Sequence, residues 1–131
     1  MTKEFALGKA YKLCSLKRID RLFAEGQRLK AYPLTLMYQE TQEEMEHAFQ
    51  VLFSVPKKRM KHAHDRNYVK RCLREILRLN KAPLEKHLTD CHKKINFALI
   101  YQFNERMPYA ELEQKLIKAL DKLIIDLTHE E

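Results

Sequence analysis

Apolar residues recur along this chain at two spacings, and the two spacings divide it into helices and strands. In residues 15–25, Leu16, Ile19, Leu22 and Phe23 fall at helical intervals, the signature of a helix with one buried stripe. Ser15 is a suitable N-cap and Gly26 a suitable stop. Residues 34–38 and 48–55 have strand composition, the first begun after Pro33 and the second ended by Pro56. The short polar connection between them predicts an antiparallel hairpin, and residues 27–30 allow a further brief strand. Residues 65–80 carry the clearest pattern, with Val69, Cys72, Leu73, Ile76 and Leu77 on one helical face. Asp65 is placed to cap this helix and Pro83 to end it. Residues 95–103 form the most apolar strand, expected at the centre of the sheet. In residues 109–128, Leu112, Leu116, Ile117, Leu120, Leu123, Ile124 and Leu127 face one way. The order predicts an α+β fold, a two-layer sandwich of about four strands and three helices.

Charge changes the picture at one place. Of the 25 residues from 57 to 81, ten are Lys or Arg and two are acidic, while the whole chain carries net +7. The excess is therefore local, since the remaining residues are close to neutral. At about 100° per residue, Lys70, Arg71, Arg74 and Arg78 point away from the buried stripe, with Asn67 among them. Arg66, at the stripe's edge, extends the four-residue step. Glu75 is the one acid within reach, of Arg71 or Arg78. A cationic row with so few acidic partners repels itself, and phosphates relieve that repulsion. Arg adds a planar fork suited to phosphate.

Composition excludes several other classes. A chain of 131 residues with 45% hydrophobic content builds one domain with a core. Its longest apolar runs are too short to span a bilayer. The N-terminal stretch has no segment of signal-peptide length, which together predicts a cytoplasmic protein that binds no membrane. Two glycines cannot make a phosphate-cradling loop. Cys14, Cys72 and Cys91 are odd in number and scattered, the usage of reduced thiols. His62, His64, Cys91 and His92 match no zinc spacing, and no nucleophile–base pair or carboxylate dyad stands out. The four glutamates among residues 39–47 read as a solvated loop. Aromatic residues beside a basic groove suit stacked bases, with Phe23, Tyr32, Tyr38, Phe49, Phe53, Tyr68 and Tyr101 as candidates. A nucleic-acid-binding chain without a protein-borne active site is the reading these residues support.

Residues 53–75 resemble the signature of the bacterial ribonuclease P protein component. The family pattern is a strand ending Ser-Val-x-Lys-Lys/Arg, a loop, then Arg-Asn-x-x-Lys-Arg-x-x-Arg-Glu. Here it is met by Ser54, Val55, Lys57, Lys58, Arg66, Asn67, Lys70, Arg71, Arg74 and Glu75. Leu16, Phe23 and Gly26 are similar to a second family pattern near the N-terminus. The chain departs from the family at Tyr68, where the usual residue is Arg, and at Ile19, where it is often aromatic.

The resemblance implies an α+β sandwich with a left-handed β-α-β crossover carrying the basic helix. It implies a protein subunit whose partners are the ribonuclease P RNA and precursor tRNA, with no protein partner required. The RNA, with magnesium bound mainly by RNA and substrate, removes the 5′ leader. Arg66, Asn67, Lys70, Arg71, Arg74 and Arg78 would contact the catalytic RNA. Lys57, Lys58, Arg59, Lys61, Phe23 and Tyr38 would lie along the leader path or nearby phosphates. A ribosomal or general RNA-binding module is the alternative, and a stand-alone nuclease would need protein carboxylates or histidines for its chemistry.

Overall fold

A computed structural model describes residues 7–129; most of the N-terminal stretch read for a signal segment lies outside them. A 3-10 turn at Lys9–Tyr11 leads to α1 (Leu16–Glu25), β1 (Gln27–Ala31), β2 (Leu34–Thr41) and β3 (Phe49–Ser54). Then come α2 (Ala63–Asn80), α3 (Ala82–Asp90), β4 (Lys94–Tyr101) and α4 (Tyr109–His129). The fold is α+β, with one four-stranded mixed sheet in the order β1-β2-β4-β3.

The predicted hairpin between the second and third strands does not form. β2 pairs instead with β1 and β4, antiparallel in both cases, and β3 pairs with β4 in parallel. β4 is the most apolar strand, and every residue from Ile95 to Leu99 is buried. Lying between β2 and β3 covers both its edges and both its faces, which a position outside a β2–β3 hairpin would not do. Residues 42–48 therefore cross the end of the sheet rather than turning back beside it. They are not merely solvated: Glu43 bonds to Arg18 of α1 and lies 3.9 Å from Arg21.

Strand alternation assigns the two faces. Leu34, Leu36 and Tyr38 of β2, Phe49 and Val51 of β3, and Ile95, Phe97, Leu99 and Tyr101 of β4 meet the buried residues of α2, α3 and α4 in one core. On the other face Met37 and Ala98 pack with Leu13 and with Leu22 of α1. That second cluster is small, so α1 covers only part of its face.

Two helix boundaries depart from expectation for physical reasons. The basic helix ends at Asn80 as expected, but Pro83 also opens a further helix, sitting in the first turn of α3, where its missing N–H costs nothing. Among the described residues there are thus four α-helices rather than three. Asp65 does not cap α2, because His62 occupies that position and the helix begins at Ala63. Asp65 lies in the first turn, where a carboxylate still favours the helix N-terminus. In α1 the cap is as read, with Ser15 accepting from the Arg18 amide. Leu16 is nonetheless 77% exposed and Phe23 40% exposed, so only Ile19 and Leu22 of the predicted stripe reach the sheet. In α4, Ile117 lies at the surface and Ala119 joins the core.

Candidate nucleic-acid interface

The interface begins with what α2 must bury. Val69, Cys72, Leu73, Ile76 and Leu77 sit in the core, and fixing that face fixes the opposite one. Asn67, Arg71 and Arg74 are exposed and Lys70 is half-buried. Among the described residues none of Lys70, Arg71 and Arg74 makes an ion pair. Their charge is therefore uncompensated among the described residues. Arg74 also lies over the Phe53 ring, with its guanidinium carbon 5.7 Å from the centroid.

Arg78 is placed differently. Its guanidinium donates to both carboxylate oxygens of Glu75, at 3.0 and 2.5 Å. The hydrogen bond holds Glu75 below the usual carboxylate range and raises Arg78. Of the predicted row, this member has its charge largely matched already.

Arg66 shapes a neighbouring loop. Its guanidinium donates to the carbonyls of Met60 and Lys61, both at 2.9 Å. At the other side of the loop, the Pro56 carbonyl accepts from the amides of Arg59 and Met60. Met60 is buried, whereas Lys57, Lys58, Arg59 and Lys61 are exposed. One apolar anchor and one arginine clamp thus hold four cations at the surface, just beyond the end of β3.

A residue outside the predicted set joins this end of α2. Arg106, in the connection from β4 to α4, donates to Asp65 at 2.7 Å and lies over the Tyr68 ring at 4.4 Å. The hydrogen bond from Arg106 holds the Asp65 carboxyl below its ordinary range. Arg106 stands 41 residues from Asp65 in the chain, and no local pattern in the sequence marks the pairing. Tyr68 thus lies beneath a guanidinium from another element.

The residues expected along the leader path divide. Phe23 is exposed on the flank of α1 opposite Arg18 and Arg21, which are tied to Glu43. Beside α1 on that sheet face, Leu52 and Ile100 are half-buried. Tyr38 corrects the prediction. It is 1% exposed and its hydroxyl donates to Asp126 of α4. The period of two in β2 sends Tyr38 to the helical core and its neighbour Met37 to the α1 face. Tyr38 cannot stack on a base without unfolding that core.

His62 and His64 lie beside each other at the start of α2, with ring centroids 5.6 Å apart. Among the described residues there is no group of three or more His, Cys, Asp or Glu side chains that could hold a metal ion. No described helix is long and apolar enough to cross a membrane.

Comparison with known proteins identifies the family. The model of the Ribonuclease P family matches residues 7–124. The chain belongs to the ribonuclease P protein component family. The family's Porphyromonas gingivalis (strain W83) member is 32% identical over 119 residues, covering 91% of this chain and 87% of that one. The Chlorobium phaeobacteroides member is 42% identical over 69 residues, about half of each chain. Among solved structures, the Staphylococcus aureus RNase P protein superposes with a TM-score of 0.68 at 21% identity, covering 88% of this chain and 95% of that one. The Thermotoga maritima protein gives a TM-score of 0.68 at 22% identity, covering 85% and 96%. At these identities the structural likeness speaks for the fold alone. Family membership makes this an RNA-binding component of a tRNA-processing ribonucleoprotein.

Proposed function

We propose that the chain is the protein subunit of ribonuclease P that grips the catalytic RNA with α2 and guides the 5′ leader of precursor tRNA past α1. The observation that carries this reading is the outward row of Asn67, Lys70, Arg71 and Arg74, opposite a fully buried stripe and without acidic partners among the described residues. Phosphates of a structured RNA supply the missing countercharge. The leader runs over the sheet face that α1 leaves open, past Phe23, towards Lys57, Lys58, Arg59 and Lys61. Phe23 offers a ring for stacking, and the four cations meet phosphates beyond it. Arg66 acts first by holding that loop in place.

Hydrolysis of the phosphodiester bond belongs to the RNA, with magnesium held mainly by the RNA and its substrate. The protein contributes charge and position. Reconstitution tests this: precursor tRNA is processed at low magnesium by the RNA subunit with and without the protein. Addition of the protein should restore cleavage, and the Lys70→Ala/Arg71→Ala/Arg74→Ala variant should not. Cleavage by the protein with no RNA present would refute the reading, as would preferential capture of ribosomal RNA.

A further inference from the structure

β3 is an edge strand, and the described residues cover its outer side only in part. The segment preceding α1 touches it at one parallel bridge, Lys12 to Val51, with the Leu13 amide donating to the Val51 carbonyl at 3.0 Å. Beyond that bridge a groove of about 500 Å³ opens between residues 7–12 and α2. Its apolar part includes Val51 and Phe53, its charged part is Lys9, Lys12, Lys70 and Arg74, and among the described residues no acidic one lines it. Among the described residues none of these four cations makes an ion pair.

We propose that this groove binds a single unpaired nucleotide of an RNA, its base against Arg74 and Phe53 and its phosphate among the lysines. The inference rests on the reading of α2 as the RNA-facing helix and adds a base-binding pocket to it. Three observations select the occupant. The volume lies in the range of small-molecule sites, so it suits one nucleotide and not a duplex. A site for phosphate alone has no use for an apolar floor, whereas a nucleotide needs both a floor and a cationic rim. Arg74 already lies over the Phe53 ring at 5.7 Å, and RNA bases stack on guanidinium planes as they do on aromatic rings. Lys70 and Arg74 belong to both the groove and the outward row of α2. A strand whose phosphates follow that row is therefore led to the groove, where one splayed base can enter.

Two measurements test the pocket. In the first, backbone amide resonances of the protein are followed while adenosine 5′-monophosphate is added, then inorganic phosphate in a separate titration. The nucleotide should shift the amides of Lys12, Val51 and Phe53 saturably, and phosphate should leave Val51 and Phe53 in place. Equal shifts with phosphate, or none with the nucleotide, would overturn the proposal. In the second, affinity for the catalytic RNA is measured against salt for Arg74→Lys and Phe53→Leu. Arg74→Lys keeps the charge and removes the plane; Phe53→Leu keeps apolar volume and removes the ring. Each should lose about fivefold or more in affinity, the low end for a stacked base, with an unchanged salt slope. Arg74→Lys changes only an exposed side chain, so its result stands even where Phe53→Leu weakens the fold. Wild-type affinity for Arg74→Lys would sink the pocket alone. If Arg71→Ala also left affinity and slope unchanged, the wider reading of α2 would fail with it.

Discussion

Replacing Lys70, Arg71 and Arg74 together by alanine should flatten the salt dependence of binding to the catalytic RNA. Each lysine or arginine that neutralises a phosphate contributes a slope of roughly −0.9 in log affinity against log salt on duplex, or about −0.7 on single strands. On the duplex figure, a fourfold rise in salt costs about 3.5-fold per contact and about 40-fold for three. The wild-type protein should therefore lose about 40-fold more affinity than the triple variant between 50 and 200 mM salt, values taken as a convenient interval. Filter binding or fluorescence anisotropy on the RNA subunit at four or more salt concentrations gives both slopes. The structure adds an internal control. Arg78 already serves both oxygens of Glu75, so Arg78→Ala should flatten the slope less than Arg71→Ala. Parallel salt lines for the wild-type and triple variant would refute the assignment of this face. An Arg78→Ala effect as large as that of Arg71→Ala would refute the argument that the ion pair matches its charge.

Further outcomes follow from individual residues. Phe23→Ala should weaken precursor tRNA binding by about 1–3 kcal/mol, the range for one stacked base, and leave mature tRNA unaffected; equal losses for both substrates would count against a leader contact. Tyr38→Phe should cost about 1.5–3 kcal/mol of stability, the range for a bond to a charged group, through its lost bond to Asp126, measured by urea unfolding, with precursor binding intact. Leu73, fully buried in α2, should cost about 2–5 kcal/mol on replacement by alanine, and an unchanged unfolding midpoint would contradict its core position. Asp65→Asn tests the pair with Arg106. Because the folded state lowers the Asp65 pKa, the wild-type advantage exists above the unfolded value of about 3.9 and disappears as pH falls through the lower folded value. Melting temperatures of the two proteins should thus differ at pH 7 and converge in acid; a gap that persists at low pH would mean the pair is not its source.

The parts of this protein that were legible in advance are those written within one element. The stripe from Val69 to Leu77 and the cationic row opposite it share a single helix, so helical periodicity alone places them back to back. The same holds for the Ser15 cap and for the exposed tip at Lys57, Lys58 and Arg59, which follows a strand stopped by Pro56. Pro83 marked the end of α2 but hid the start of α3, because proline both follows helices and begins them, and which it does depends on what comes after.

Strand pairing was not legible, since β2, β3 and β4 are all apolar and alternation does not name a neighbour. Tyr38 shows the same limit at one residue. Alternation separates it from Met37 but does not say which face α4 will cover and which α1 will leave open. Arg106 reaches Asp65 and Tyr68 only because the end of β4 arrives beside the start of α2, and the groove at Phe53 exists only because β3 lies at the sheet's edge. By itself the sequence determined where charge and apolar surface lie around each helix, because that depends on 3.6 residues per turn. The tertiary structure alone decided which aromatic rings stay exposed and which arginines are already paired, because those contacts join elements distant in the chain.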